Sequence, residues 1–505
     1  MRERALRSFV PIALGCALAV MSGVFLTLCF APYDAWPLVW VGFVPMAVAQ
    51  HRVLPPRWSA AAPAIGVAGF VAGNFGVDFF PPASPWYLKL LPLLVGGLVF
   101  VVSRTERARL ERTGYAGWPL QAAINWVAIE LFRMFVPGLA TWGFLGHAMY
   151  RQNWFLRPVS VFGIFGLDLL IVFANYTFAQ LLVAWIDRRR GSAGSGAVPL
   201  ARAARWWAGA LVAIASWSTV SFAMRGSDGI RVRIAALQPG SRPYQLGATP
   251  EERDRGMLEI LSEQTRRASS QGARLIVWPE AALSADPALA YHDELANLAR
   301  KTGAWLFVAY RVTTPAGQRN EVVTITPDGA FAGKYGKDHP VRFLGETSLS
   351  RDSYPTYQTP FGTVGAMICY DMDFTDSARQ LALRGAQVIA VPSADWQAIG
   401  AKHYVHAVFR ALETGAALAK SEFSRDSAII DGSGAIVASS VTPLGSAAIL
   451  VADVALHSGI PFAARFGDWL GWLCVAGLVA QLLARLSVWG RRKIIASGVR
   501  AARLN

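Results

Sequence analysis

The sequence runs as apolar blocks joined by short polar segments, with one long polar stretch set among them. A helix crossing a bilayer needs about 17–25 apolar residues. Runs of that kind lie near 9–30, 36–50, 59–80, 87–103, 117–136, 157–186, 206–223 and 467–489, the second and fourth being short. About eight membrane helices are predicted, seven before the polar stretch and one after it.

Between 228 and 455 the periodicity changes. Ile230–Leu237 alternates apolar and polar positions, as a half-buried strand does. Glu251–Ser270 reads as a helix with Thr249 as N-cap. Strands are predicted at Arg274–Trp278, Trp305–Tyr310, Val364–Cys369 and Gln387–Val391, and a helix at His403–Thr414. Val322–Thr326 with Pro327-Asp328-Gly329, and Ala428–Ile430 with Asp431-Gly432-Ser433-Gly434, read as hairpins. Strands alternating with helices indicate a layered α/β domain. Three parts follow: 1–227, a transmembrane helical bundle; 228–455, an extramembrane α/β domain; and 456–505, a last membrane helix with a basic tail. No internal repeat is visible, and Gly191–Val198 (GSAGSGAV) reads as a flexible loop.

Composition agrees. Of 505 residues 53% are apolar and 16% charged, the latter well below the roughly 25% of soluble chains. Neither a purely soluble nor a disordered chain fits. The net charge of +15 is unevenly placed. Asp228–Asp453 holds 22 basic and 24 acidic residues, and the remainder 26 basic and 9 acidic. The excess therefore borders apolar runs and marks membrane orientation, not nucleic-acid binding. Arg2, Arg4 and Arg7, then Arg52 and Arg57, Arg104 to Arg112, Arg188 to Arg205 and the tail from Arg491 fall on alternate joints. Positive-inside sorting puts these, and both termini, in the cytoplasm, with 228–455 on the outer face of the membrane. Ala13-Leu14-Gly15-Cys16 is similar to a weak lipoprotein cleavage site, but the segment reads as a retained first helix.

Three polar residues stand at the ends of predicted strands or in adjoining loops: Glu280 in Ile276-Val277-Trp278-Pro279-Glu280, Lys337 in Lys334-Tyr335-Gly336-Lys337, and Cys369 in Met367-Ile368-Cys369-Tyr370-Asp371. Singly they read as a loop carboxylate, a solvated lysine and a packed thiol. Together they suit nucleophilic acyl chemistry: a thiol to attack, a carboxylate to take its proton, a cation to stabilise an oxyanion. Without a CxxC pair, and with seven scattered histidines, neither a metal site nor a cofactor is implied.

In this order the motifs resemble the nitrilase (carbon–nitrogen hydrolase) superfamily, whose Glu-Lys-Cys triad sits on an α-β-β-α sandwich. The membrane segments narrow the likeness to its membrane-embedded apolipoprotein N-acyltransferase family. Phe30-Ala31-Pro32-Tyr33 with Trp36-Pro37, Trp126 to Glu130 and Arg133 with Trp142-Gly143, and Gly163-Ile164-Phe165-Gly166-Leu167 are similar to motifs of that family's membrane half. The resemblance implies ping-pong transfer from a phospholipid acyl donor, through a Cys369 thioester, to the α-amine of a diacylglyceryl-lipoprotein acceptor. It also implies supporting or substrate-binding roles for Glu346, Tyr370 and Asp371. His403, Arg410 and Glu413 resemble a helix motif near the site, and read equally as structural. Glu130 and Arg133, three apart on an apolar run, read as a paired couple or as lining for a lipid site.

The chain departs from the family pattern in four places. The segment Lys337 to Glu346 is one residue longer. Asn-Asp-Ala-Trp becomes Ser393-Ala394-Asp395-Trp396, Asn-Asn-Gly is replaced within Glu422-Phe423-Ser424-Arg425-Asp426, and Pro239-Gly240 follows Gln238. These changes leave the triad whole and open the identity of donor and acceptor. A paralogue with another amine acceptor, a membrane-anchored amidase that passes its acyl group to water, and a lipid-binding or transport protein with a dead enzyme domain are the alternatives. The loops of 336–362 are candidates for a mobile lid. A monomer is the default.

Overall fold

The apolar segments fold as helices. In the computed structural model the described residues are 2–501 except 77–78, 81–83, 137, 192–195, 225–228, 343–344, 349–352, 397, 441–442 and 444. The middle of the Gly191–Val198 loop, the junction at 225–228 and two pieces of the expected lid lie outside them, and for 2–9 and 487–501 only backbone is described. Among the described residues, five helices are long and apolar enough to cross a membrane: Val10–Leu28, Trp86–Arg112, Val159–Arg189, Leu200–Ala223 and Trp469–Leu486. The other three predicted spans are helical but shorter. Trp118–Met134 has 17 residues and Ala61–Asn74 has 14. Residues 36–50 break into a 3₁₀ turn, Trp36–Trp40, and a short helix, Val44–Val48, because Pro37 and Pro45 supply no amide donor.

The polar stretch forms two six-stranded sheets. The first comprises β1 (Arg231–Gln238), β2 (Leu275–Val277), β3 (Trp305–Thr314), β4 (Gly317–Ile325) and β5 (Phe331–Gly336). The second comprises β6 (Thr356–Thr359), β7 (Gly362–Ala366), β8 (Val388–Pro392), β9 (Ala417–Ser421), β10 (Ser427–Ile430) and β11 (Ile436–Ser440). The last strand, β12 (Ala448–Ala455), returns to the first sheet beside β1, giving the orders β12-β1-β2-β3-β4-β5 and β11-β10-β9-β8-β7-β6. β1, β2 and β3 run parallel, as do β7, β8 and β9. Strands covered on both faces read as unbroken apolar runs, as β2 and β8 do, whereas β1 begins with exposed Arg231 and Arg233.

Helices Pro250–Ser270 and His292–Thr302 cover the outer face of the first sheet through Met257, Leu261 and Leu295. Thr249 caps the former in a reciprocal pair with Glu252, as its sequence predicts. Asp376–Leu383 and Tyr404–Thr414 cover the second sheet, completing an α-β-β-α sandwich. Every residue of Tyr404–Thr414 is buried, because its far side rests on the membrane helix Val159–Arg189. That helix is broken at Gly163 (φ 64°, ψ 179°), and the freed amide of Ile164 donates to Glu413 at 3.1 Å.

One expectation needs correction. The strand predicted over Val364–Cys369 ends at Ala366, and Cys369 opens a 3₁₀ turn, Cys369–Asp373. The Asp371 carboxylate accepts from the Ile368 amide at 2.9 Å and turns the chain there.

Candidate active site

The C-terminal ends of parallel strands point one way, and the loops leaving them share one end of the sandwich. Glu280 follows β2, Cys369 follows β7 and Ser393 follows β8; Lys337 continues directly from antiparallel β5. The amide of Glu280 donates to the carbonyl of Ser393 across the two sheets at 3.3 Å. The amide of Lys337 donates to the carbonyl of Asn320 at 2.9 Å, which fixes its register against β4. Cys369 has φ 48°, in the left-handed region that a β-carbon disfavours, as does neighbouring Ala281 at 51°. Strain of this kind concentrates at working sites.

Lys337 and Glu280 are brought together. Lys337 Nζ donates to Glu280 Oε1 at 2.8 Å and to Glu346 Oε2 at 3.0 Å, with all three side chains buried. Two residues that the sequence did not mark complete the cluster. Asn320 Nδ2 donates to Glu280 at 2.7 Å and to Glu346 at 2.6 Å. Arg311 Nη2 lies 3.3 Å from Glu280 and 3.4 Å from Glu346. Burial pushes the Glu280 carboxyl up. Lys337 and Arg311, with hydrogen bonds from Lys337 and Asn320, outweigh it and hold it at about 2. Burial lowers Lys337, but Glu280 and Glu346 more than compensate, so the ammonium stays charged.

Cys369 is 4% exposed. Burial raises its thiol, reinforced by Glu280 and Asp395 and opposed by Lys337, so the resting sulfur is protonated. Its thiol is directed to Asp395 Oδ1 at 3.8 Å. Asp395 and the cationic Lys420 and His403 beside it form a second buried charge cluster. Lys420 is a further residue that the sequence did not mark, although a lysine inside the apolar run Ala417–Ser421 is itself a signal of a buried partner. The ligand-type atoms of Cys369, Asp395 and His403 lie within 4.8 Å of one another. His403, however, is held at both ring nitrogens by carboxylates, Asp395 at 2.6 Å and Asp373 at 2.7 Å. Burial lowers it, but these carboxylates raise it to about 10, so it is a cation with no lone pair to offer a metal.

Asp371 and Tyr370 hold the turn that Cys369 opens. Besides Ile368, the Asp371 carboxylate accepts from the amides of Asp338 and His339 and from the Tyr335 hydroxyl, tying the turn to the loop after β5. The Tyr370 hydroxyl accepts from the Gly138 amide of the membrane half at 3.0 Å. Trp142 Nε1 donates to Asp373 Oδ2 at 2.6 Å. Glu130 accepts from Trp126 Nε1 at 2.7 Å, and Arg133 donates to the Trp142 carbonyl at 2.6 Å and lies over the Phe144 ring, while the two charges also act on each other. Arg410 pairs with Glu413 at 2.9 Å, deep against the membrane half.

Two cavities adjoin these groups. One of about 410 Å³ lies between the end of helix Trp118–Met134 and the turn at Cys369, lined by Met134, Phe135, Val136, His339, Tyr370 and Phe374. The other, about 310 Å³, is reached past Arg242, Arg253, Tyr244 and Phe423 and ends on Glu280 and Arg311.

Residues 233–463 match the family model for carbon-nitrogen hydrolase, and residues 22–177 that for the apolipoprotein N-acyltransferase N-terminal domain. The apolipoprotein N-acyltransferase of Geobacter metallireducens is 25% identical over 95% of this chain and 96% of its own length. That of Methylococcus capsulatus is 27% identical over 93% and 95%. Human omega-amidase is 29% identical over only 28% of this chain and 58% of its own. Among solved structures, an amidase from Nesterenkonia sp. is 22% identical with a TM-score of 0.38, covering 46% of this chain and 93% of its own.

Proposed function

The chain belongs to the apolipoprotein N-acyltransferase family of carbon–nitrogen hydrolases, and from that premise we propose that it carries a fatty acyl group from a phospholipid to the α-amine of an S-diacylglyceryl cysteine by way of Cys369. The observation that carries the reading is the shared construction of the nucleophile's turn. Gly138 and Trp142 of the membrane half hold Tyr370 and Asp373, and the larger cavity runs from the end of an apolar helix to Tyr370. A hydrolase of soluble amides has no use for that arrangement.

In the first half-reaction Glu280 takes the thiol proton and the sulfur attacks the ester carbonyl. A C–S bond forms, the C–O bond to glycerol breaks, and the lysophospholipid leaves with the proton on its hydroxyl. Lys337 stabilises the oxyanion, and its pairing with Glu280 and Glu346 holds it in place for this. In the second half-reaction the acceptor amine attacks the thioester. A C–N bond forms, the C–S bond breaks, Glu280 accepts the ammonium proton and the thiol is restored. Both termini are cytoplasmic and 228–455 works on the outer face of the membrane, so both lipid substrates reach it from the outer leaflet. The division at 1–227, 228–455 and 456–505 belongs to this reading.

The test is intact mass after incubation with phospholipid, wild type beside Cys369→Ala. The expected result is one added acyl mass on the wild type alone, lost to a diacylglyceryl peptide that gains it on its amine. An adduct discharged to water at the same rate with and without the peptide would favour the amidase. No adduct in either protein would overturn the reading.

A further inference from the structure

Glu280 is not the carboxylate to which the resting thiol is directed. That group is Asp395, in the loop after β8. Its Oδ1 is 3.8 Å from Cys369 Sγ, accepts from Ser393 Oγ at 2.8 Å and lies 2.6 Å from His403 Nδ1. Its Oδ2 accepts from Lys420 Nζ at 2.6 Å. Both cations are anchored on their far sides, His403 by Asp373 at 2.7 Å and Lys420 by Asp426 at 3.0 Å. All five charged side chains are buried. An isolated carboxylate so buried would take up a proton. Held between two fixed cations, this one keeps its charge and can move neither away from the sulfur nor toward it. Asp395 is thereby a poor proton carrier and a good anchor, which separates its role from that of Glu280.

We propose that Asp395 is a positioning residue for the nucleophile, its carboxylate clamped by His403 and Lys420 so that it accepts the Cys369 thiol hydrogen bond and keeps the sulfur protonated and aimed until a donor ester arrives. The charged groups acting on Cys369 are Glu280 from the loop after β2, Lys337 from the end of β5, and Asp395. Those acting on Asp395 include His403 and Lys420, with Asp426 and Glu422 beyond them. Burial raises the Asp395 carboxyl, but His403 and Lys420 hold it well below the usual range, so its negative charge is present throughout the range in which the thiol titrates. That charge opposes thiolate formation. The proposal rests on the acyl-transfer reading of Cys369, but its test uses no lipid substrate, so the two fail independently.

The experiment follows the rate of Cys369 alkylation by iodoacetamide against pH in the full-length protein, read by mass on the Cys369 peptide so that Cys16, Cys29 and Cys474 do not contribute. Asp395→Asn keeps the shape and removes the charge. Its profile should move to lower pH by a unit or more, a tenfold or greater rise in thiolate at a fixed pH below the midpoint. Asp395→Glu, which restores the charge, should bring the midpoint back. A structural role alone would change the rate without moving the midpoint. An unmoved midpoint in folded Asp395→Asn, or equal shifts in both variants, overturns the proposal. A second measurement needs no Asp395 variant. The S–H stretching band of Cys369, taken as the infrared difference between wild type and Cys369→Ser, should lie at the lowered frequency of a hydrogen-bonded thiol. A band at the free-thiol frequency overturns the proposal as well.

Discussion

Arg311 on β3 and Asn320 on β4 are register partners across one hairpin, and both reach the same two carboxylates, Glu280 and Glu346. The hairpin thus sets where Glu280, the proposed proton acceptor, stands. Asn320→Leu should leave the fold intact and slow acyl-enzyme formation by about 10- to 100-fold. That is the value of hydrogen bonds to a charged group, about 1.5–3 kcal/mol, expressed as a rate. Growth of the acyl adduct by mass checks it.

Lys337→Met removes the cation between two buried carboxylates. Breaking a buried ion pair from one side costs about 3–5 kcal/mol, because the partners are left unpaired. The variant should melt at a lower temperature than wild type in the same detergent and form no acyl adduct. Adding Glu346→Gln should recover part of the stability and none of the activity, since Glu280 would then be paired with Arg311 and Asn320 alone.

The two buried clusters titrate in opposite senses. Glu280 is lowered from 4.5 to about 2, so the stability it contributes is complete above pH 4.5 and is lost as pH falls toward 2. His403 is raised from 6.5 to about 10, so its contribution is complete below pH 6.5 and is lost as pH rises through 10. Thermal unfolding measured from pH 6.5 to 10 should show stability declining in the wild type. In His403→Gln, which starts lower, that decline should be flatter. Equal slopes would show that His403 does not carry the alkaline dependence.

Gly163 combines φ 64° with ψ 179°, a conformation nearly exclusive to glycine. Gly163→Ala should destabilise the protein by about 1–3 kcal/mol, although a β-carbon there meets only Glu413 Oε1 at 3.8 Å. The cost is in the backbone, not in a clash. Faster thermal inactivation with no change in initial rate would show it.

What the sequence revealed and what it hid have different physical causes. Glu280, Lys337, Cys369 and Glu346 sit in local motifs, although the strand before Cys369 stops three residues short of where its apolar run ends. Arg311 and Asn320 belong to the site only through the β3–β4 register, and a polar residue near the end of an antiparallel hairpin is ordinary. Asp395 stood out as a departure from a pattern, but its charge is tolerated only because His403, at the start of the following helix, and Lys420, on the following strand, arrive beside it. The eight apolar segments were visible, but the breaks at Pro37 and Pro45 mattered more than the apolar count, and they shortened the second span. The helices Asp376–Leu383 and His292–Thr302 and the strand β9 passed unnoticed, being short elements whose stability comes from the sheets beneath them.

The bond from Trp142 to Asp373 joins residues 231 apart in the sequence. Closing so long a loop is entropically expensive and slow, and contacts of this range form late in folding. Asp373 also holds His403, so the surroundings of Cys369 are finished only after the two halves of the chain have met. A substitution in the loop around Trp142 can therefore silence the enzyme while every group that touches substrate remains in place. Such a variant would betray itself by the order in which its parts become protected from exchange, with the sheets early and the turn at Cys369 last.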